Sequence, residues 1–507
     1  MIMDKISTGF SGIVTGEQEQ PWTLNWKLLA RTLHTAHERA IQRGHAVLAS
    51  MTQTMTWYDP LDTFAGCLLS SLGESFFWER PSESTALVGT GVAMMIETQG
   101  EGRFHEAAAR WRTLMQNAVV AQTADVGAIA GSGPTLFGGF AFDSLAPRTD
   151  LWHNFPDGLL VLPSVLFSYG PQGVALTVNM MVNANEDRAH REQRVVECSQ
   201  TITHLLASVD YAVSHREEAI SGNALQTSDL LPASQWKQRV ADVAHEIRMG
   251  RYEKVVLARG VSVKQGTPQD DSEQSKAQFD IRGVLRRLRR SYPGAYVFAM
   301  QRGKRFFAGA TPERLVQAQD GNIYTMALAG TAPRGATPEE DERIGAALLQ
   351  SDKNNIEHAI VVSQVRDALA QHCGVVDVAD KPHLLKLKNV QHLETPVRGT
   401  LLPQRCILDV MADLHPTPAV GGFPRQLALE TIRRVEHLDR GWYAGPLGWI
   451  GASGHGEFAV ALRSGLIDEH EATLFAGCGI VGDSDPQSEY EESCLKLQVL
   501  LRSLSDT

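Results

Sequence analysis

The sequence predicts an α+β fold with antiparallel pairing, and three observations carry that expectation. Strand-like apolar runs follow one another closely, Gly158 to Phe167 then Val174 to Val182, and Ala295 to Gln301 then Arg305 to Ala308, so each couple reads as a hairpin. Near the end, Gly441 to Gly451, Glu457 to Ile467 and Ala472 to Ile480 read as a three-stranded antiparallel meander. Helical patterns of 3.6-residue period stand between such runs, and 507 residues, 43% hydrophobic and 21% charged, suffice for a large core without staples.

In chain order, Trp26, Leu29, Leu33 and Ala36 begin a helix, and Ala46 to Met51, Glu74 to Trp78 and Ala86 to Gly91 have strand character. Leu136 to Phe142 (LFGGFAF) is apolar, with two glycines where backbones can pack closely. Arg188 to Val209 is helical, and the polar, aperiodic His215 to Asp229 is the best boundary in the chain. Few ionisable clusters precede it, so this half reads as scaffold.

Beyond the boundary, Ser234 is expected to cap a helix whose Trp236, Val240, Val243, Ala244 and Ile247 face inward. Val255 to Ala258 forms a buried strand with Lys254 at its mouth, where a lysine is ordinarily just an edge charge. Gln265 to Gln278 is a charged loop. Phe279 to Arg290 is an amphipathic helix with Ile281, Val284, Leu285 and Leu288 inside and a solvated arginine face outside. Glu313 follows a Thr-Pro turn and by default is an exposed loop glutamate. Tyr324 to Gly335 is a strand running into a Gly330-Thr331 turn that could offer backbone N–H groups to an anion. A helix starting near Ser351 carries Glu357, with Ile360, Val361, Val365 and Leu369 as its buried face. His392 lies in NVQHLETPVRGTL, Ala419 in the Pro/Gly-rich loop Leu414 to Arg425, and Tyr443 in GWYAG. Arg463 is the one charge in the apolar run Phe458 to Ile467, and a buried arginine requires an anion.

The stretch Ala476 to Leu501 concentrates the chemistry. Gly477, Gly479 and Gly482 lead to Asp485-Pro486, an N-cap followed by a first-turn proline. On the helix that follows, Tyr490, Cys494, Leu497 and Leu501 form a core stripe, while Glu489, Glu492 and Lys496 share another face. GCGIVG matches G-x-G-x-x-G, but a dinucleotide site needs a further parallel strand and an acid about twenty residues on. Asp483, Asp485, Glu489, Glu491 and Glu492 would also crowd negative charge onto a pyrophosphate. A divalent cation suits these carboxylates better, and a solvated acidic face is the plain alternative.

Composition narrows the partners. A formal net charge of -11 disfavours nucleic acid and anionic membranes, and the Arg286, Arg287, Arg289 and Arg290 cluster is too small for a basic patch. Six cysteines lie far apart without zinc spacing and read as reduced core residues. No apolar run reaches membrane length and the first ten residues lack signal-peptide blocks, so a soluble cytoplasmic protein is expected.

Taken together, KVVLAR, GATPERL, LAGTAPRG, NNIEHAIVV, VQHLETPVRG, LHPTPAVGGFPR, GWYAGPLGW, ALRSG and AGCGIVGDSDPQSEYEES resemble, in order, the chorismate-utilising enzymes. The likeness is strong over about residues 230 to 502, with echoes at FFWERP and FGGFAFD, and points to the isochorismate-forming branch of the menaquinone type. It implies one large α+β fold of antiparallel sheets packed face to face with helices outside, in which 1–229 is the scaffold part and 230–507 the catalytic part. It implies Mg2+ held by Glu357 and Glu492 with Glu489 in support, Lys254 as the base that activates water, and Glu313 as the acid. Chorismate would meet Gly330, Thr331, His392, Ala419, Tyr443, Arg463, Gly477, Gly479 and Lys496. Asn354 departs from relatives that carry an acid there. Ammonia-using relatives tend to have Gln where Lys254 stands, and no glutaminase segment is present, so no glutaminase partner is expected. Salicylate formation, which adds pyruvate elimination, is the alternative. Ala419 is the position where salicylate-forming relatives carry Thr.

Overall fold

The computed structural model describes residues 23–70, 72–126, 129–215, 225–265, 278–386 and 390–505. The first ten residues, most of the expected boundary and most of the loop after Gln265 lie outside these. Among the described residues, two sheets dominate. The larger runs in the spatial order Leu225–Asp229, Lys254–Gln265, Glu471–Ile480, Ser464–Ile467, Arg305–Thr311, Tyr296–Arg302, Ser75–Arg80, Thr85–Thr90, Val165–Gly170, Gly173–Val182, Val47–Met55 and Val119–Gln122. The two-residue strand Gly422–Phe423 adds to Lys254–Gln265. The smaller sheet runs Cys373–Val378, Val390–Leu401, Asn322–Pro333, Arg314–Gln319, Gly456–Val460, Pro446–Gly451, Thr135–Phe140, Gly158–Leu162 and Met94–Thr98, with His383–Lys386 beside Val390–Leu401. Strands from both ends of the chain are interleaved in each sheet, and the pairings are antiparallel except Val47–Met55 with Val119–Gln122.

Side-chain alternation explains the layers. On Ser75–Arg80, Phe76 and Trp78 enter the core between the sheets, where Phe76 stacks on Phe137 at 4.2 Å, while Phe77 points to the other face and meets Phe64. The outer face of the larger sheet is covered by helices Trp26–Arg43, Pro60–Leu69, Arg188–Ser214, Ile281–Ser291 and Pro486–Leu504. In LFGGF, a Cβ on Gly138 would lie 1.9 Å from the Leu159 carbonyl oxygen, so only glycine lets the two strands pair.

Several expectations need correction. Gly158 to Phe167 is not one strand: Pro163, which has no N–H for a ladder, separates Gly158–Leu162 in the smaller sheet from Val165–Gly170 in the larger. Glu457 to Ile467 also divides, at Ala461 to Arg463, so the meander is two hairpins in two different sheets. Arg463 sits in that bend at φ 51° and not within a strand. Leu225–Asp229, inside the expected boundary, is an edge strand on Val261 to Gln265. Pro232, not Ser234, precedes the helix Ala233–Arg248, which has no side-chain cap. On Pro486–Leu504 the buried row is Ser493, Leu497, Leu500, Ser503 and Leu504. Tyr490 and Cys494 are half-buried: Tyr490 packs beside Trp236 at 6.1 Å, and the Arg259 guanidinium lies 4.4 Å over its ring and 3.0 Å from Cys494 Sγ.

The arginine face of Ile281–Ser291 is not wholly solvated either. Arg289 forks onto Asp59 at 2.9 and 3.0 Å and reaches Glu79 at 3.1 Å. Burial nevertheless pushes the Glu79 carboxyl up to about 7, outweighing Arg289, which is already shared with Asp59. The folded state therefore holds this proton more tightly than the unfolded chain. Glu79 contributes stability that is full below its ordinary 4.5 and is lost as pH rises through about 7. Glu79→Gln should remove that decline, so thermal unfolding of variant and wild type should diverge between about pH 5 and about pH 8 in favour of the variant. Parallel curves across that window would show that Glu79 is ionised throughout.

Candidate active site

Two neighbouring switches of the chain from one sheet to the other build the centre of the site. Arg305–Thr311 ends in the larger sheet and the chain resumes in the smaller at Arg314–Gln319, leaving Glu313 in the switch. Gly456–Val460 passes from the smaller sheet to Ser464–Ile467 in the larger, leaving Arg463 in the switch. The switches are bonded to each other. Thr311 Oγ1 donates to the Val460 carbonyl at 2.6 Å, Val460 N–H to the Glu313 carbonyl at 2.9 Å, and Ala310 N–H to the Arg463 carbonyl at 3.3 Å. Glu313 is thus no free loop glutamate but a half-buried group at a fixed point. Burial raises its carboxyl pKa, against the pull of Arg463, Lys254 and Lys496.

Lys254 approaches from the strand Lys254–Gln265. Burial lowers its pKa, opposed by Glu357, Glu313 and Glu489 and reinforced by Lys496. Across the ladder, Gly479 faces Val256, and a Cβ there would lie 2.8 Å from Lys254 Cε and 3.4 Å from Nζ. Glycine at 479 therefore leaves the lysine its path. Gly477 offers its carbonyl to Lys496 Nζ at 2.8 Å, and a Cβ on it would stand 3.3 Å from the Tyr443 hydroxyl. Tyr443 is buried and stacks on Phe475 at 5.3 Å. The guanidinium of Arg463 has no ion pair or hydrogen bond among the described residues, which leaves it for an anion.

The smaller sheet supplies the turn expected at residues 330 and 331. The pairing of Asn322–Pro333 with Val390–Leu401 slips between Ala329 and Thr331, and Gly330 takes φ 73°, a value open to glycine. His392 pairs with Thr331 and hydrogen-bonds the Gly330 backbone, and its pKa is lowered by burial. The Thr331 side chain lies outside the described residues. Ala419 is half-buried in a loop closed by Val420 and Gly421 N–H on the Thr417 carbonyl, and Gly421 in turn accepts from Val256 N–H at 3.0 Å.

The acidic groups sit on two helices. On Pro486–Leu504, whose N-cap Asp485 accepts from Ser488 N–H, Glu489 and Glu492 bring carboxylate oxygens within 4.8 Å of each other and of Cys478 Sγ. Burial raises Glu489, and Glu492 adds to the rise while Ser484 and Lys496 oppose it. Two oxygen donors at that spacing fit a hard divalent cation. The thiol does not join them: it donates to the Glu489 carbonyl at 3.2 Å, and burial pushes it up to about 12. Lys496 Nζ lies 2.5 Å from Glu492. Glu357 stands exposed on Asp352–Ala370, outside the Glu489–Glu492 group but close enough to Lys254 to act on its charge. That helix presents His358, Val365 and Leu369 inward, and His358 Nε2 meets Thr395 Oγ1 at 2.7 Å. Ile360 and Val361 are only half-buried. Asn354 donates to Ser351 Oγ at 2.8 Å and packs on Gly330, so it closes the turn.

Sequence reasoning missed the buried charges behind the site. Arg259 donates to Ser493 Oγ at 2.7 Å and Asp229 at 2.5 Å, and Asp229 accepts from Tyr490 at 2.9 Å, fastening the acidic helix to the strand of Lys254. Glu436 and Arg440 form a second buried pair at 2.6 Å. The one available signal was a charge inside an apolar strand, the sign that singled out Arg463.

The chorismate binding enzyme family matches residues 34–505. The chain is similar to the isochorismate synthase MenF of Bacillus subtilis, 36% identical over 474 residues that cover 93% of this chain and 96% of the relative. It is 37% identical over 484 residues to the salicylate biosynthesis isochorismate synthase of Pseudomonas aeruginosa, covering 94% and 96%. Its fold is shared with MenF, the menaquinone-specific isochorismate synthase of Escherichia coli, at a TM-score of 0.69 and 24% identity, over 94% of this chain and all of that one. Anthranilate synthase component I of Streptococcus pneumoniae shares it at 0.64 and 20% identity, over 82% and 92%.

The carboxylate geometry makes a binding prediction. Mn2+ titrated into the protein and followed by electron paramagnetic resonance should be bound at one site. Glu489→Gln and Glu492→Gln should each weaken it by about tenfold or more, since each removes one of few charged oxygen ligands. Glu357→Gln should weaken it less. Binding indifferent to both Glu489 and Glu492 would mean their helix face is merely solvated.

Proposed function

The chain belongs to the chorismate-binding enzymes, and we infer that within them it is an isochorismate synthase, converting chorismate reversibly to isochorismate. The observation that carries the reading is Glu313 in its sheet switch and Lys254 at the start of its strand acting on each other's charge, with burial lowering the pKa of the lysine and raising that of the carboxyl. A neutral amine is a base and a carboxylic acid is a proton donor, so both shifts run in the direction that general base and general acid catalysis require.

In this mechanism Lys254 takes a proton from water as its oxygen bonds to C2. The ring double bonds shift, the C4–O bond breaks, and Glu313 delivers its proton to the leaving hydroxyl, which departs as water. One water enters and one leaves, so the product is an isomer. Arg463 and Lys496 bind the substrate's carboxylates, with Tyr443, His392, the Gly330–Thr331 turn and the backbone at Gly477 and Gly479 fixing the ring. Glu489 and Glu492, with Glu357 from the facing helix, would hold Mg2+, which supplies positive charge opposite a substrate carboxylate. The catalytic groups come from 230–507, and 1–229 supplies strands and covering helices.

Lys254 as the base favours water over ammonia as the nucleophile, so no glutaminase partner is needed. No helix among the described residues is long and apolar enough to cross a membrane. Six free cysteines fit a reducing compartment, the cytoplasm.

Purified protein given chorismate and Mg2+ should yield isochorismate as the dominant product by chromatography after short incubation, and chelation should abolish turnover. Stoichiometric pyruvate from the earliest times would move the assignment to salicylate formation. Lys254→Ala and Glu313→Gln should each lower kcat by about 10² to 10⁴ with the fold intact, the range for losing a general acid or base. Near wild-type turnover in either would remove that residue from the mechanism.

Product choice supplies a separate expectation. The methyl of Ala419 leaves the enolpyruvyl side chain unrestrained, whereas Thr adds bulk and a hydroxyl donor. Ala419→Thr should raise the pyruvate fraction at a reduced overall rate. An unchanged product ratio would make Ala419 merely a small residue in a tight turn.

A further inference from the structure

Among the described residues, the strand that carries Lys254 has one edge with no neighbouring strand over its middle. Its other edge pairs continuously with Glu471–Ile480, from Val255 opposite Ile480 to Lys264 opposite Glu471. On the open edge, Gly422–Phe423 pairs only with Lys254 and Val255, and Leu225–Asp229 only with Val261 to Gln265. Residues 256 to 260 fall between them.

Val256 N–H bonds the Gly421 carbonyl, Leu230 N–H bonds the Gly260 carbonyl and Trp236 Nε1 bonds the Ala258 carbonyl, and an ion pair meets the two groups between, Val256 C=O and Ala258 N–H. Arg440 Nε and NH2 donate to Glu436 Oε1 and Oε2, each at 2.6 Å, and both side chains are at most 4% exposed. The pair then faces the strand as a strand would. Arg440 NH2 donates to the Val256 carbonyl at 2.8 Å, and Glu436 Oε2 accepts from Ala258 N–H at 2.7 Å. The remaining nitrogen, NH1, donates to the Val420 carbonyl at 3.1 Å, next to Ala419. The guanidinium lies 4.2 Å over the Phe142 ring. Stability alone does not account for such a pair, because burying two charges costs desolvation that two apolar side chains would not incur. What apolar side chains cannot provide is a donor for Val256 and an acceptor for Ala258 at once, with a further donor for the loop.

We propose that Arg440 and Glu436 are positioning residues that act through Lys254, setting the height of its strand and seating the Ala419 loop beside it. Neither touches the substrate. The inference rests on Lys254 being the base. Lys254 lies two residues from Val256, so a shift of the strand is passed directly to Nζ, and a displacement of about 1 Å costs up to about 10²-fold in rate.

The test is a double-mutant cycle on chorismate consumption, measured well below the unfolding temperature. Arg440→Lys keeps the charge and loses the fork. It should lower kcat by about tenfold to 10²-fold with KM changed less than about threefold. In the Lys254→Ala background the same substitution should change the residual rate by less than about twofold, because the group it positions is gone. Equal losses in both backgrounds, or an unchanged kcat with only a lowered unfolding temperature, would overturn the proposal in favour of a structural role. If Arg440→Lys does not fold, Glu436→Gln carries the same comparison; it keeps an acceptor for Ala258 and should lower kcat by about threefold to tenfold. A wild type that makes another product from chorismate would defeat the functional reading while leaving this cycle interpretable. A wild-type rate that survives Lys254→Ala would defeat both.

Discussion

Charge compensation between partly buried groups is the constraint on which the site depends. Glu357, Glu313, Glu489 and Lys496 act on Lys254, and Arg463, Lys254 and Lys496 act on Glu313, yet they arrive from the larger sheet, two sheet switches and two helices. In water such groups would each hold their ordinary charge. Here burial dominates, and it moves Lys254 down and Glu313 up, so the two tend toward neutrality together. An isolated buried charge would be far more costly than this mutually adjusted set. Loss of Lys254 or of Glu313 therefore changes the electrostatic setting of the other, and single substitutions at the two are not independent.

The sheet switches explain how a large fold holds these groups at fixed points. A side chain on an ordinary loop moves with its tip, but Glu313 and Arg463 occupy short crossings locked by the bonds of Thr311 to Val460, Val460 to Glu313 and Ala310 to Arg463. Arg463 adopts φ 51°, a left-handed conformation that costs a non-glycine residue about 1 kcal/mol or more. The crossing keeps it because both flanking strands are already committed to different sheets. The same property gives the interleaving of early and late strands a function: the scaffold strands fix the spacing of the sheets, and the crossings inherit that spacing.

Much of the fold was legible in the sequence because period and punctuation are local. Ile281, Val284, Leu285 and Leu288 announced their helix, and Asp485-Pro486 announced another. What failed was continuity. Phe458 to Ile467 is apolar but for Arg463 and Ser464, so its pattern does not reveal that it leaves one sheet at Val460 and enters the other at Ser464; Arg463 marks the bend but reads as a charge within a strand. The stripe on the last helix holds in part: Leu497 is buried and Tyr490 and Leu501 pack against the core, but Tyr490 also lies beneath the Arg259 guanidinium, a contact that periodicity does not reveal. The carboxylates and Lys254 were legible as candidates only jointly, through their resemblance to a family. Singly, each had a bland explanation.

Rigidity is unevenly divided across the site, and this has a consequence for how it works. Lys254 is fixed by a strand paired on one edge and clamped on the other, and Glu313 by a bonded crossing. Glu357 and Glu492, by contrast, are exposed on helix surfaces, and Lys496 is bonded to Glu492 and to the Gly477 carbonyl. The groups proposed to transfer protons are thus held by backbone bonding, while Glu357 and Glu492 stand at the surface. Glu489, Glu492 and the Lys496 paired with Glu492 lie on a helix and not on the strand of Lys254, so in the proposed mechanism cation binding and proton transfer draw on different parts of the fold.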